Sequence, residues 1–463
     1  MIVCWLDGKL ASIVVLRGVA EVTVSREAAA EVLRRFEESK MKQSLRSLIY
    51  GVIEEFDISD VKVRTSVFGL VVETVKRMNT VNFILQRVVG GKEKFRSLDP
   101  FVRNLLRVAT LEVKINQSPV DVERKVYGLL LRKVGRDEAA EARRILRRVK
   151  TFSLEEALKR RSKLEKYSIL YSHPSFFVKR VMDLLSEEEA LDLMRTNLSS
   201  KVVWFRVNRV KMSVDDALAA FEKDGVHVEK DKDFPALFRL VDAEIPLPLT
   251  PYFDDRRIII QDKASVATVY ALDPRPGERV LDACAAPGMK TALISELMEG
   301  EGDLVAVDVS AERARRMERI LDLSGVSNVK ILVADSRTLK GEYDKVLVDA
   351  PCTSSGTFAS SPEAKWKVNE KQIRSYTLIQ KALLENALRL VREGGVVVYS
   401  VCSVFPEEGE EIVDSVLGKA ELIEPNIPGE KGYDGFECSS RIKRFFPHRH
   451  QTNGFFIAKL TPA

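Results

Sequence analysis

Apolar residues recur at every third or fourth position from Gln43 to about Lys150, in segments such as VFGLVVETVKRM, VNFILQRVV and DPFVRNLLRVATLEVKI. That is the period of a helix with one buried face, and several such segments in succession predict a helical bundle. Asp99-Pro100 marks one helix start, with proline at the first helical position. Before residue 41 the pattern is ambiguous: SIVVLRGVAEVTVS alternates weakly, while EAAAEVLRRFEESK has helical spacing. A basic helical connector follows the bundle, and then a mixed segment combines helical SEEEALDLMRTN with strand-like VVWFRVNRV. From Ile259 the rhythm changes. Strand-like VLDACA, LVAVDV, KILVAD, KVLVDA and GGVVVYSV alternate with helical TALISELM, AERARRMERILDL and QKALLENALRLVRE, which predicts a doubly wound α/β sheet. The expected organisation is an extension of uncertain character (1–40), a helical domain (41–150), a basic helical linker (151–172), a small α+β subdomain (173–258) and an α/β domain (259–463).

Composition narrows this picture. Of 463 residues, 45% are hydrophobic and 30% charged, as in a globular protein with sizeable cores. No apolar run reaches the length of a membrane span, and Asp7, Lys9, Arg17 and Glu21 interrupt any signal-peptide core, so a cytoplasmic location is expected. The net charge of +5 is mild but uneven. Thirteen Lys/Arg face six Asp/Glu between Leu131 and Lys166, a stretch suited either to a phosphate backbone or to a solvated helix face. The cysteines Cys4, Cys284, Cys352, Cys402 and Cys438 include no C-x-x-C pair, which argues against a zinc knuckle and a disulfide framework. His448 and His450 read as part of a structural loop, with no metal expected.

In an open α/β sheet, ligands sit beyond the carboxyl ends of the strands, so the loops there carry the candidate chemistry. The first strand runs into Asp282-Ala-Cys-Ala-Ala-Pro-Gly-Met-Lys-Thr291 and a helix. Its small residues let a ligand approach the backbone, and it lacks the upstream glycine of a P-loop. Asp308 ends the second strand, where a carboxylate can bind ribose hydroxyls, and Asp335 follows the third, placed for an adenine amino group. Each could equally cap a helix, but three acidic loops in succession describe a nucleoside pocket. The fourth strand ends in Asp349-Ala-Pro-Cys-Thr-Ser-Ser-Gly356 and the fifth in Tyr399-Ser-Val-Cys-Ser403. This order brings Cys352, Cys402 and Asp349 to one edge.

These loops resemble the Sun (Fmu-type) family of RNA cytosine-C5 methyltransferases, over about His173 to Leu460. Further matching segments are RVNRVK (206–211), QDKAS (261–265), PEAKWK (362–367) and FFPHRHQTNGFF (445–456). The resemblance implies a Rossmann-like S-adenosylmethionine-dependent methyltransferase sheet in which Cys402 is the nucleophile. Cys352 would assist proton removal and product release. Asp349 would face the cytosine N3 edge, and Lys290 is a candidate for lowering a thiol pKa or touching substrate. The cofactor would lie against Cys284, Ala285, Ala286, Pro287, Gly288, Met289 and Lys290, with Asp308, Arg313, Asp335 and Asp349 around it. Two positions depart from the family: Met289 stands where it usually has glycine, and Val401 where it usually has threonine. Met289 could crowd the methionine half of the cofactor.

The helical part resembles the NusB-like RNA-binding domain of bacterial 16S rRNA methyltransferases, mainly over DPFVRNLLRVATLEVKINQSPVDV. An rRNA substrate is therefore expected, with tRNA the alternative. Two other readings compete. A DNA cytosine methyltransferase would use the proline-cysteine loop and a Glu-Asn-Val motif, but Glu385-Asn386-Ala387 falls mid-helix and the second cysteine argues against DNA. An idle RNA-binding assembly factor is the rival from another class.

Overall fold

Helix starts in the N-terminal part follow caps written in the sequence. Asp60 accepts from the backbone N–H of Lys62 and Val63, and Asp99 from those of Phe101 and Val102, with Pro100 at the first helical position as predicted. The computed structural model describes residues 19–41, 43–116, 121–199, 202–243 and 247–463. These fall into two compact units: residues up to 199 with Ser361–Lys367, and 202–360 with Val368–Ala463.

The first unit is all helical: α1 (Val19–Glu38), α2 (Leu45–Glu55), α3 (Val61–Lys76), α4 (Met78–Val89), α5 (Lys92–Arg96), α6 (Pro100–Thr110), α7 (Val122–Lys133), α8 (Arg136–Thr151), α9 (Leu154–Leu158), α10 (Lys163–Leu170), α11 (Ser175–Leu184) and α12 (Glu187–Leu198). One apolar core joins α1, α2 and α3 around Leu33, Phe36, Val52 and Val71. A second joins α4, α6, α7 and α8 around Leu85, Leu105, Val126 and Leu146. Helix α1 is integral to the bundle: its Ala28, Ala29 and Val32 are fully buried, and Arg26 pairs with Glu112 out of water. The weak alternation of SIVVLRGVAEVTVS is thus helical from Val19 onward, and its first part lies outside the described residues. Lys365 and Trp366 of the PEAKWK segment belong to this unit. They donate to the carbonyls of Lys76 (2.7 Å) and Val75 (3.0 Å), which the last turn of α3 leaves without helical partners.

The second unit holds two sheets. The smaller has the order β2-β3-β1-β4, built from β1 (Trp204–Val207), β2 (Val226–Lys230), β3 (Leu237–Ala243) and β4 (Ile258–Ile260), with α13 (Val214–Lys223) packed on it. The larger comprises β5 (Arg279–Asp282), β6 (Asp303–Asp308), β7 (Val329–Val333), β8 (Tyr343–Asp349), β9 (Val391–Val401), β10 (Ala420–Ile423), β11 (Lys443–Phe445) and β12 (Phe455–Pro462). Its order is β10-β12-β9-β8-β5-β6-β7, with β11 also paired to β12. The five predicted strands run parallel as expected; the finding beyond expectation is that β12 inserts antiparallel between β9 and β10. The chain reverses direction across the sheet between β5 and β8, so the switch point lies among the loops singled out above.

RVNRVK clamps the two sheets together. Buried Arg206 reaches Gln261 (2.9 Å) and Glu296 (2.5 Å), and Asn208 donates to the carbonyls of Arg256 and Ser324. Asp262 ties QDKAS to the C-terminal motif by accepting from Thr452 Oγ1 and the Asn453 backbone. No helix among the described residues is long and apolar enough to cross a membrane.

Candidate active site

All the strand-end residues named from sequence lie at the carboxyl edge of the large sheet. The loop after β5 turns at Gly288, whose φ of +100° and whose closeness to Met317 (2.9 Å from an added Cβ) exclude a larger side chain. Helix α14 (Met289–Leu297) begins there. Asp308 accepts from the backbone N–H of Ser310, and Arg313 bridges Asp308 (3.2 Å) and the carbonyl of Ala286 (2.9 Å). Asp335 pairs with its neighbour Arg337 at 2.6 Å, which holds its carboxyl below the ordinary range. Pro287 is exposed and Met289 half-buried at the mouth of this loop.

The two cysteine loops converge. Cys352 Sγ and Cys402 Sγ lie 3.1 Å apart as free thiols, and Ser354 Oγ stands 3.6 Å from Cys402 Sγ. The hydrogen bond to Cys402 and burial raise the Cys352 pKa well above the usual thiol value. Asp349 binds Lys290 Nζ through Oδ2 (2.6 Å) and Ser400 Oγ through Oδ1 (2.8 Å). Burial opposes the charge on Lys290, but Asp349, assisted by Asp282 and Cys402, outweighs it and keeps the ammonium pKa raised. Lys290 therefore spends most of its field on Asp349 while remaining in electrostatic reach of the Cys402 sulfur. Below it, burial pushes Asp282 up to about 6, against the hydrogen bond from Thr291. Cys284, likewise raised by burial, is a poor nucleophile.

The sequence reading missed what holds these loops. Glu408 is fully buried and accepts from Thr353 N (2.9 Å), Thr353 Oγ1 (2.5 Å), Ser403 Oγ (2.6 Å) and Gln380 Nε2 (3.1 Å). Burial raises its pKa against those donors. Ser355 and Ser403 share a hydrogen bond of 2.9 Å, and Gly356 N donates to Cys402 O at 3.0 Å, so one loop is laced to the other. Gly356 and Gly454 touch backbone to backbone: an added Cβ at 356 would fall 2.1 Å from the Gly454 oxygen. Behind them, Arg444 and Glu410 form an ion pair with no exposure. In PEEGEE (406–411) Glu408 looks like one more surface acid. The available signal was the cluster of hydroxyls at 353, 355 and 403, which needs a buried acceptor. Glu385-Asn386-Ala387 sits inside the helix Glu370–Leu390, where Asn386 caps the carbonyls of Ser336 and Leu339.

Sheet order and switch-point loops define a Rossmann-like methyltransferase fold. Three family models match in tandem: NusB family over residues 23–142, the RsmF/B-like ferredoxin-like domain over 173–245, and "16S rRNA methyltransferase RsmB/F" over 269–461. The chain belongs to the RsmB/F methyltransferase family. It is 26% identical to the probable ribosomal RNA small subunit methyltransferase B of Bacillus subtilis, over 95% of this chain and 98% of that one. It is 33% identical to the 28S rRNA (cytosine(4447)-C(5))-methyltransferase of Homo sapiens, over 63% of this chain, and spans only 38% of that relative's length. Among solved structures, PH0851 matches over 95% of this chain and 98% of that one, at 28% identity and a TM-score of 0.80. A methyltransferase homolog from Pyrococcus horikoshii matches at 32% identity and a TM-score of 0.59, over 64% of this chain and 98% of that one. NSun6 from the same organism, solved with SFG, matches at 25% identity and a TM-score of 0.58, over 63% and 99%.

Proposed function

We propose that this protein is an S-adenosylmethionine-dependent RNA cytosine-C5 methyltransferase acting on rRNA through a covalent adduct on Cys402. The observation that carries the reading is the pair of free thiols 3.1 Å apart beside the Lys290–Asp349 ion pair. C5 of cytosine is a weak nucleophile, and thiolate addition at C6 turns the ring into an enamine. Cys352 keeps its proton, held by Cys402 and by burial, which leaves nucleophilic attack to its neighbour. With Asp349 paired to Lys290, the carboxylate is suited to accept from the cytosine amino group, and the ammonium to supply the positive charge near N3 that stabilises addition. After methyl transfer Cys352, having passed its own proton to solvent, takes the C5 proton as a thiolate, and re-formation of the C5–C6 double bond expels Cys402 as its thiolate.

The residues present fit a nucleoside sulfonium. Asp308 and Asp335 stand at successive strand ends beside the small-residue turn Ala283 to Gly288, and the buried Asp282 Oδ1 below it has no side-chain hydrogen-bond partner among the described residues. When bound, that cofactor supplies an electrophilic methyl group. The same fold in NSun6 was solved with SFG, an S-adenosylmethionine analogue. The curated relatives are named for rRNA, which favours rRNA over tRNA. Incubation with unmodified rRNA and cofactor should give Cys352→Ala as a protein–RNA adduct stable to denaturing electrophoresis, and Cys402→Ala in the same chain should remove it. An adduct that survives loss of Cys402 overturns the assignment.

A further inference from the structure

The basic stretch between Leu131 and Lys166 divides in two once folded. Its α8 half is neutralised internally: Arg143 and Arg147 share Glu123 at 2.7 and 2.8 Å, and Arg144 pairs with Glu141. Its second half, KRRSKLEK (159–166), borders a groove of about 690 Å³ between α4 and α10. Here Lys159, Arg161 and Lys163 make solvent-exposed pairs with Glu156, Glu165 and Glu187, which an arriving phosphate can displace, and Arg160 and Lys166 add two further cations. Across the groove, residues 87–96 add Arg87, Lys92 and Lys94, while Arg96 pairs with Glu93 at 3.4 Å. Phe83 lies half-buried in the groove wall, steadied edge-on by Phe152 at 6.5 Å. Two guanidinium groups approach its ring, Arg87 at 5.5 Å and Arg161 at 5.9 Å. The side-chain amides of Asn79, Asn82 and Gln86 line the same space.

An aromatic ring flanked by guanidinium groups and amides, inside a cationic rim, is the chemistry that takes a single-stranded nucleic acid. A base stacks on the ring, phosphates meet the cations, and amides meet base edges. A protein partner would need an apolar centre, and the groove's lining is polar. The geometry points to a second RNA-binding site here, which holds a single-stranded segment of the substrate away from the cysteines. It rests on the reading that the substrate is RNA, but not on the reaction performed.

The test is fluorescence anisotropy with a labelled twelve-nucleotide RNA of adenine and uracil only, without cofactor, so that no cytosine chemistry contributes. Arg87→Glu combined with Lys92→Glu should weaken binding at least ten-fold. It should also flatten the slope of log affinity against log salt by about 0.7 for each phosphate no longer neutralised. Phe83→Ala should weaken binding about ten-fold with the slope unchanged, Phe83→Leu should do the same while keeping apolar bulk, and Phe83→Trp should restore it. Arg147→Glu, already paired, should change binding less than three-fold. Absence of binding by the wild-type protein, equal binding of a duplex, or wild-type affinity in the groove variants overturns the site. Failure of the methylation reading looks different: the wild-type protein binds the oligonucleotide and the groove variants still lose affinity, while in a separate incubation with unmodified rRNA and cofactor the wild-type protein modifies no cytosine.

Discussion

At the β8–β9 half of the sheet edge, the loops are tied by groups that never see solvent: Glu408 gathers four donors from two loops and a helix, and Arg444–Glu410 closes the space behind. At the β5–β7 half, the acidic residues are engaged by arginines that stand in water. Arg313 and Arg337 are 54% and 45% exposed. Buried networks are strong when complete and costly when broken, whereas exposed pairs contribute little to stability. The difference matches two tasks. On the proposed mechanism, sulfurs that meet one ring position need a fixed geometry, while a cofactor that arrives and leaves needs a pocket whose side chains can exchange partners.

The largest effect should come from the buried side. Glu408→Ala strands the backbone N–H and hydroxyl of Thr353 and one amide N–H of Gln380, which at about 1–3 kcal/mol for each unpaired group should cost at least ~3 kcal/mol in urea unfolding. Methyl transfer should be lost in the fraction that remains folded, and Glu408→Gln should fall between. A loss below about 1 kcal/mol would erase the contrast between the two halves.

Asp282, beneath both halves, should give a smaller, pH-dependent effect. Its folded pKa of about 6 lies above the ordinary carboxylate value, so the folded state binds its proton more tightly than the unfolded chain. The stability this contributes is complete below about pH 4 and is lost as pH rises through about 6. Relative to Asp282→Asn, which does not titrate, the wild-type melting temperature should decline across that window. A difference that stays constant with pH would show that burial does not set the Asp282 proton.

The legible parts of the molecule were those written in local period and in strand-end residue type. Alternating strands and helices from Ile259 gave the parallel sheet, and Cys352, Cys402 and Asp349 met because parallel strands place their carboxyl ends on one edge. Hidden were relations between distant segments. That β12 runs antiparallel between β9 and β10 depends on pairing, which no local pattern of FFIAKL specifies. Glu408 was hidden because an acid's burial depends on donors some fifty residues away. RVNRVK and PEAKWK were visible as motifs but silent about purpose; folded, they are a clamp between sheets and a cap on helix α3. Conversely, the RRILRRVK run looked available for phosphates but lies largely within ion pairs on its own helices.

At the β5–β7 half, Asp308 is itself buried but receives one backbone N–H, from Ser310, beside the exposed Arg313, so Asp308→Ala should cost about 1–2 kcal/mol, less than Glu408→Ala. If Asp308 holds the ribose hydroxyls, cofactor affinity should fall about ten-fold or more, as for a lost charge-assisted hydrogen bond worth about 1.5–3 kcal/mol. Isothermal titration with S-adenosylhomocysteine reads this directly. A stability loss equal to that of Glu408→Ala would mean that both halves are held alike.

The smallest effect sharpens the comparison most, because it separates a pair that acts as a unit from one that can exchange partners. Arg337 holds Asp335 from a position open to solvent, where water screens the attraction and the pair adds little to the fold. If Asp335 receives the adenine amino group, Arg337 competes for the same carboxylate oxygens. Arg337→Ala should then leave cofactor affinity unchanged or raise it slightly, while Asp335→Ala lowers it. Equal losses from both substitutions would make Arg337 a fixed support for Asp335, and the β7 loop would belong with the rigid half of the edge.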